Sequence, residues 1–189
     1  TFTVAQDKNV GEFSLNWAYS EPAVTPSFGY TEPAIDADGN VYVISGNSLV
    51  KISNSGAQAW TKALSMWGGN CPDVTPSLEA DGSVVYTAGG TDNTVRVYAL
   101  NAADGSEKWT VGYDGFFQPN TSKLLSFWRA GVAVGDDHLF VSCTRGYSIN
   151  AFSKANGSRT TYASTAADGS KMDYSLTCSP ALTKDGVVA

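Results

Sequence analysis

Pro33-Ala-Ile-Asp-Ala-Asp-Gly39 is the stretch that decides the fold, because the same pattern occurs again further along the chain. Pro76-Ser-Leu-Glu-Ala-Asp-Gly82 and Pro180-Ala-Leu-Thr-Lys-Asp-Gly186 keep the spacing from Pro to Gly. A weaker copy starts at Gly131 and has Asp137 where the others have Gly. Since the copies start at residues 33, 76, 131 and 180, the repeat is about 43 to 55 residues long. Such a period is typical of β-propeller blades.

The residues within each copy predict four short antiparallel strands. Asp-Gly favours the positive φ of a two-residue hairpin, and a β-branched and aromatic run follows it. A third strand is predicted at 49–52, 95–100 and 149–152, and each is followed by a second turn that contains Gly. Four antiparallel strands make one propeller blade. Helix is expected only as short turns between blades.

A tryptophan marks the predicted fourth strand. Trp60 and Trp109 each lie four residues after a turn glycine, and Trp17 has the equivalent place in the amino-terminal segment. Tyr162 stands one place late in the third copy and is a possible substitute. We predict that Trp17, Trp60 and Trp109 are structural and that Trp60 and Trp109 are buried between blades. Blades contact only their neighbours, so loss of one indole is expected to loosen two blades.

The stretch Leu100-Asn-Ala-Ala-Asp-Gly-Ser-Glu-Lys-Trp109 resembles the tryptophan-docking motif of the pyrroloquinoline-quinone (PQQ) enzyme family and its non-catalytic relatives. Gly56-Ala-Gln-Ala-Trp60 is a looser copy of it. As a repeat pattern, the resemblance runs over nearly the whole chain. It implies an all-β propeller in which the Trp packs over the next blade. Many cofactor-free proteins share the motif, so the resemblance predicts the fold more sharply than the function.

We predict one all-β domain over residues 1–189, a partial β-propeller of four-stranded antiparallel blades. The last residues read as the middle of a strand, so we expect a piece of a larger propeller of about seven or eight blades. Four blades closed by joining the two ends are the alternative. The predicted blades cover about 31–62, 74–111 and 129–163, with the end of one blade at 1–20 and the start of another at 178–189.

The composition excludes several classes of function. The net charge is −6 and Lys and Arg do not cluster, so no nucleic-acid partner is expected. No apolar run approaches 18 residues, which predicts no transmembrane segment. There is no Cys/His spacing for zinc, and the single His138 falls in a predicted hairpin, which argues against a nucleophilic triad.

Three irregular segments, 64–75, 111–130 and 163–179, join successive blades and are predicted to share one rim with the loops between second and third strands. Long irregular loops in a compact fold are usually functional. Aromatic rings beside an Arg suit a sugar, a quinone or a peptide, although they would equally cap the apolar contact between blades. The candidate ligand-binding residues of this rim are Trp67, Asn70, Phe116, Phe117, Trp128, Arg129, Arg145 and Tyr147.

The resemblance to PQQ enzymes implies a calcium site, an Asp base, an Arg near the quinone and often an adjacent Cys pair. This sequence has no adjacent Cys pair, and nothing places an Asp beside Arg129 or Arg145. Asp36-Ala-Asp38 looks like the start of a calcium loop but lacks the downstream Glu. We therefore predict no metal site and no cofactor, with PQQ and calcium expected only if the chain belongs to a dehydrogenase.

Two features favour export. Asn120 and Asn156 lie in Asn-X-Ser/Thr sequons and are candidate glycosylation sites. If a disulfide forms, it is predicted to join Cys143 and Cys178, which are expected to meet at the rim of adjacent blades, with Cys71 free or paired to a missing portion. Three buried free thiols are the alternative. The first hypothesis is a non-catalytic scaffold or ligand-binding propeller that is secreted, at the cell surface or periplasmic, and binds a protein or glycan. The alternative is a fragment of a PQQ- and calcium-dependent alcohol or sugar dehydrogenase.

Overall fold

The described secondary structure is entirely β. A computed structural model describes residues 16–19, 32–64, 75–89, 94–114, 117–118, 121–124, 131–142, 148–163, 180–183 and 186–188, and no helix occurs in these ranges. The strands are β1 (Ala34–Ile35), β2 (Val41–Ser45), β3 (Ser48–Ile52), β4 (Gln58–Ala63), β5 (Ser77–Leu78), β6 (Val84–Gly89), β7 (Thr94–Asn101), β8 (Glu107–Asp114), β9 (Phe117–Gln118), β10 (Thr121–Leu124), β11 (Ala133–Val134), β12 (His138–Ser142), β13 (Ser148–Ser153), β14 (Arg159–Ala163), β15 (Ala181–Thr183) and β16 (Gly186–Val188).

Twelve of these strands form three antiparallel sheets of four, each in simple sequential order. We call them blade one (β1–β4), blade two (β5–β8) and blade three (β11–β14). Two further hairpins pair β9 with β10 and β15 with β16. The prediction of an all-β fold built from four-stranded antiparallel blades is confirmed.

The first strands of the sheets lie side by side. Strand β5 contacts both β1 and β11, and β11 in turn contacts β15. The fourth strands therefore lie at the opposite edge of each sheet, as in a propeller whose innermost strands surround an axis.

Two apolar layers hold the blades together. In the first seam, between blades one and two, Leu49 of β3 and Leu100 of β7 are fully buried in one cluster. In the second seam, between blades two and three, Val97 of β7 and Phe152 of β13 are buried in another. Burying each such side chain contributes about 1.5–3 kcal/mol. Because side chains alternate across a strand, β7 supplies both layers and blade two is covered on both faces.

The first turn of each blade differs from the predicted two-residue hairpin. In blade one the amide of Asp36 donates to the carbonyl of Asn40, which leaves a three-residue loop that ends at Gly39 with φ 81°. In blade two the amide of Glu79 donates to the carbonyl of Val84, which leaves a loop of four residues. The prediction is wrong for both, because the loops have three and four residues, and the glycine is the third residue of each and not the second residue of a two-residue turn.

The longer turn of blade two changes which residues are equivalent. Ala34 pairs with Tyr42, whereas Ser77 pairs with Tyr86. If the two repeats were aligned on the Pro-to-Gly pattern alone, Tyr86 would instead be equivalent to Val43. The extra turn residue brings both tyrosines to the same position of the second strand.

The register of the fourth strand also corrects one expectation. Trp60 pairs with Lys51 and Trp109 with Ala99, each beside a bulge in the pairing. Blade three has no such irregularity, and its register places Thr160 opposite Ala151. Thr160, and not Tyr162, therefore holds the place of the tryptophan in that blade.

The segment 111–130 is more regular than predicted. Strand β8 extends through Asp114, and β9 and β10 form a short hairpin within the segment. Part of the predicted irregular loop is therefore β structure.

Candidate functional site

Two tryptophans lie across turn glycines of the following blade. A Cβ built on Gly105 would lie 2.8 Å from Cε3 of Trp60, and a Cβ on Gly157 would lie 2.8 Å from Cε3 of Trp109. The φ angles of these glycines are 73° and 72°. Glycine is therefore required at both positions for two reasons. Other residues rarely adopt this φ, and no side chain fits beneath the indole ring.

Trp17 makes the same kind of contact with blade one. A Cβ on Gly56 would lie 2.7 Å from Cγ of Trp17. The hydroxyl of Tyr19 donates to Oε1 of Gln58 at 2.6 Å. Residues 16–19 therefore contact blade one where the fourth strand of a preceding blade would lie, and residues 13–15 of that predicted strand lie outside the described residues.

The two indole N–H groups cross the seams. Nε1 of Trp60 donates to the carbonyl of Ala102 at 3.1 Å, and Nε1 of Trp109 donates to the carbonyl of Lys154 at 2.8 Å. Both rings lie against the neighbouring blade, but they are half-buried, whereas they were predicted to be buried. The reason is that they stand on β4 and β8, the outermost strands of their blades.

Each seam also contains a lysine ammonium near its tyrosine. The first seam has a second one, because Nζ of Lys62 on β4 lies 2.7 Å from Oε1 of Glu107 on β8. In the first seam, Nζ of Lys51 donates to the carbonyl of Ala102 at 2.9 Å and lies 5.2 Å from the ring centroid of Tyr42. In the second seam, the ammonium belongs to Lys154 and lies near Tyr86, since both contact Glu79. Lys51 and Lys154 come from opposite sides of their seams.

The strand register shows that the lysine and alanine positions are exchanged between the two seams. Lys51 of β3 pairs with Trp60, and the equivalent residue of blade two is Ala99, which pairs with Trp109. Ala102 and Lys154 are likewise equivalent, because each accepts the indole N–H of the preceding blade. A Lys/Ala pair in the first seam thus becomes an Ala/Lys pair in the second.

Glu79 anchors the lysine of the second seam. Nζ of Lys154 lies 2.8 Å from both carboxylate oxygens of Glu79, and the two side chains are 18% and 19% exposed. The hydroxyl of Tyr86 donates to Oε2 of Glu79 at 2.8 Å. Partial burial raises the pKa of Glu79, but the hydrogen bonds from Lys154 and Tyr86 outweigh it and hold the pKa below the usual 4.5. Glu79 is therefore ionised at neutral pH.

A cleft of about 340 Å³ opens beside this ion pair, between the first turns of blades two and three. Besides Glu79, Nζ of Lys154 meets the carbonyls of Gly135 at 3.0 Å and Asp136 at 2.8 Å. An ammonium has three protons, and protein oxygens engage all of them. The cleft therefore offers no activated acid, base or nucleophile from this pair. It is lined by Leu78, Glu79, Ala80, Val134, Gly135, Asp136 and Lys154.

The carboxylate of Asp36 is also occupied within the protein. It accepts hydrogen bonds from the amides of Asp38 and Asn40, the side-chain amide of Asn40 and the hydroxyl of Tyr42, at 2.8–3.1 Å. Burial raises the pKa of Asp36, yet the bonds from Asn40 and its neighbours bring it below the usual value. These bonds use the lone pairs that a calcium ion would need.

Most of the predicted rim residues lie outside the described part of the chain, so their role stays a prediction. Phe117 lies in β9, of which only the backbone is described. The residues outside the described ranges are Trp67, Asn70, Phe116, Trp128, Arg129, Arg145 and Tyr147, together with Cys143, Cys178 and the sequon residue Asn120.

Asn156 is exposed at the second turn of blade three. Its Oδ1 accepts the amide of Ser158 at 2.9 Å. In blade two, Oδ1 of Asp104 accepts the amide of Ser106 at the same 2.9 Å. Both are Asx turns, so turn geometry alone explains Asn-Gly-Ser at this position. Glycosylation of Asn156 stays a prediction.

Comparison with known proteins identifies the family. The family model described as outer membrane protein assembly factor BamB matches residues 14–188. This range contains all three blades and both hairpins.

The chain belongs to this family.

The resemblance of the repeats to PQQ-like propellers is thereby confirmed.

Solved structures agree with the BamB family fold. The crystal structure of BamB from Moraxella catarrhalis is 21% identical, with a TM-score of 0.54, over 82% of this chain and 43% of that one. A protein of unknown function from Bacteroides caccae is 13% identical, with a TM-score of 0.54, over 82% of this chain and 50% of that one. The chain thus spans about half the length of these structures or less. At such identities the likeness shows the fold alone. A search of curated protein sequences gives no significant match.

The described residues of this BamB family member were compared with the needs of a calcium ion. They contain no group of three or more His, Cys, Asp or Glu side chains placed to hold a metal ion. Asp36 and Glu79 are engaged by the turn and seam bonds described above.

In the same described ranges, no helix is long and apolar enough to cross a membrane.

The sequence alone did not single out Glu79, Tyr86 and Lys154 as a group. Their positions differ from one repeat to the next, so the repeat pattern carries no signal for them. The reciprocal exchange of Lys and Ala is the available signal, and it is visible only once the strand register is known.

Proposed function

We propose that this chain is a non-catalytic scaffold that takes part in outer membrane protein assembly as part of a larger propeller. The observation that carries the proposal is the match to the family of outer membrane protein assembly factor BamB over residues 14–188. The seam geometry supports it, because the charged groups of both seams are bonded to protein atoms and serve to join blades.

Ligand binding is assigned to the rim that carries the inter-blade loops. The turns described above close the other end of each blade, so β4 and β8 run towards this rim and the loops that follow them start there. Trp128 and Arg129 belong to one of these loops, and Trp67 belongs to another. Aromatic and Arg side chains are typical anchors of protein interfaces, and aromatic rings also stack on sugars. The expected ligand is a protein or a glycan.

An exported location is part of the proposal. A factor that acts on outer membrane proteins works outside the cytoplasm, which suits a periplasmic or surface-associated chain. A disulfide between Cys143 and Cys178 would support it, and the mass of the protein with and without reduction tests that pairing.

Site-specific photocrosslinking tests the rim. A benzophenone amino acid replaces Trp128 or Trp67 in the full-length protein in its own cells, and the adducts are identified by mass spectrometry. The matched control is Asp38, which is exposed in the first turn of blade one at the opposite end. We expect adducts with outer membrane proteins or their assembly partners from positions 128 and 67, and none from position 38. Adducts only at position 38, or with unrelated cytoplasmic proteins, would contradict the proposal. Glycan-array binding lost in Trp128→Ala would indicate a glycan ligand.

A further inference from the structure

The two seams differ in what holds their lysine. In the first seam, Lys51 meets a neutral carbonyl and the face of an aromatic ring. In the second seam, Lys154 is paired with the carboxylate of Glu79. Only the second of these arrangements contains an acceptor that loses its charge in acid. An indole N–H is donated across each seam. The first seam also carries the ion pair of Lys62 with Glu107, whose side chains are 29% and 43% exposed.

We propose that the second seam is an acid-sensitive joint, in which protonation of Glu79 frees Lys154 from blade two and loosens the contact of blade two with blade three, while Lys51 of the first seam keeps its bond to Ala102.

The contacts of Lys154 give the mechanism. Its ammonium joins Glu79 of blade two to the first turn of its own blade, and its backbone carbonyl accepts Nε1 of Trp109. Adding a proton to Glu79 cancels the charge opposite the ammonium, so the two contacts of 2.8 Å lose their ionic attraction. The turn that carries Lys154 is then held less firmly. Because the indole N–H of Trp109 donates to the carbonyl of Lys154, its NMR signal is sensitive to this change.

The surrounding titratable groups do not replace Glu79. Tyr86 bonds to Glu79 from β6 and stays protonated in acid, because burial raises its pKa. Asp136 lines the same cleft, but Lys154 meets its backbone carbonyl. The carboxylate of Asp81 accepts from Ser83 within its own turn. No second carboxylate in the described residues thus holds this ammonium.

Lys51 of the first seam provides an internal control, because a carbonyl and an aromatic ring hold it. The other ion pair of that seam, Lys62 with Glu107, also loses its charge in acid and is removed by Glu107→Gln. Asp36 also becomes neutral in acid, but the hydrogen bonds that it accepts from Asp38, Asn40 and Tyr42 come from its own blade. Its protonation therefore leaves the bond from Lys51 to Ala102 in place.

The direction of the pH dependence of stability follows from the pKa of Glu79. The folded pKa lies below the ordinary value of 4.5, so the pair contributes stability above that value and loses it as the pH falls through the folded pKa. The joint is closed at neutral pH and opens below about pH 4.5.

The test is NMR of the tryptophan indole N–H groups in the full-length protein, titrated from pH 7 to pH 3. Resonances are assigned with Trp60→Phe and Trp109→Phe. The titration uses Glu107→Gln, in which the acid-sensitive pair of the first seam is absent. We expect the Trp109 signal to shift with a midpoint below pH 4.5 and the Trp60 signal to stay in place through that transition. Glu79→Gln, which keeps an acceptor but has no titrating proton, should abolish the Trp109 transition.

Three results would overturn the proposal: a Trp109 signal that does not move, two signals that move together, or a transition that persists in Glu79→Gln. If Glu79→Gln does not fold, the comparison of the two indoles in the Glu107→Gln protein still decides the matter. Lys154→Arg, which retains the ion pair, should preserve the transition.

Discussion

At the scale of single residues, glycine and tryptophan act as a pair in each seam. Gly105 lies beneath Trp60 and adopts a φ of 73°. Gly82 adopts a φ of 72° but has no atom within 4 Å of the position of a Cβ. The two glycines therefore separate the cost of backbone strain from the cost of steric overlap with the ring.

We expect Gly105→Ala to destabilise the protein more than Gly82→Ala. The backbone cost of the left-handed conformation is about 1–2 kcal/mol for both. Gly105→Ala adds the cost of overpacking against Trp60, about 1–3 kcal/mol. Urea denaturation of both variants and the parent protein gives the free energies of unfolding. Equal losses in the two variants would show that the indole does not press on Gly105.

At the scale of strands and turns, loop length decides register. The first turn of blade two has one residue more than that of blade one, and this extra residue brings Tyr86 to the position of Tyr42. Because side chains alternate across a strand, a shift of one residue would otherwise turn the tyrosine towards the other seam. The turn is thus the element that allows a Tyr and its carboxylate to meet in both blades.

The lysine exchange between β7 and the second turn of blade three can be tested directly. We expect Lys154→Ala to cost about 1.5–3 kcal/mol, because it leaves the Glu79 carboxylate partly buried without its cation. Ala99→Lys reproduces the arrangement of the first seam and should restore part of that stability when added to Lys154→Ala. Ala99→Lys alone is the control, and it should destabilise because two ammonium groups then share one seam. The free energies of unfolding of the four proteins form a double-mutant cycle. Failure of the double variant to recover any stability would contradict the equivalence of the two positions.

At the scale of the whole molecule, the blades form a one-dimensional array. Blade two contacts blade one through the first seam and blade three through the second. In such arrays the free energy of unfolding is close to the sum of a contribution from each blade and a contribution from each interface between neighbouring blades. A defect in one seam should therefore remain local.

Trp60→Ala tests this locality. Because the indole is half-buried, we expect the free energy of unfolding to fall by about 2–3 kcal/mol, which is at or below the smallest losses typical of truncating a buried tryptophan. Hydrogen exchange should rise in β3, β4 and the second turn of blade two, while β13 of blade three keeps its protection. Trp109→Ala is the matched variant and should show the reverse pattern, with β13 and the turn after it affected. Equal loss of protection in all three blades would instead indicate one cooperative unit.

The sequence by itself determined the repeat, the four-stranded blade and the positions of the turn glycines. These features depend on residues close together in the chain: positive φ at Gly39 or Gly105, and β-branched runs on either side. The third strands were predicted within about one residue for the same reason. Only the tertiary structure decided the register of Tyr86, the place of Thr160 in the missing tryptophan position and the Lys154–Glu79 joint. These depend on turn length and on partners that lie 75 residues apart, as Lys154 and Glu79 do, so no local pattern encodes them.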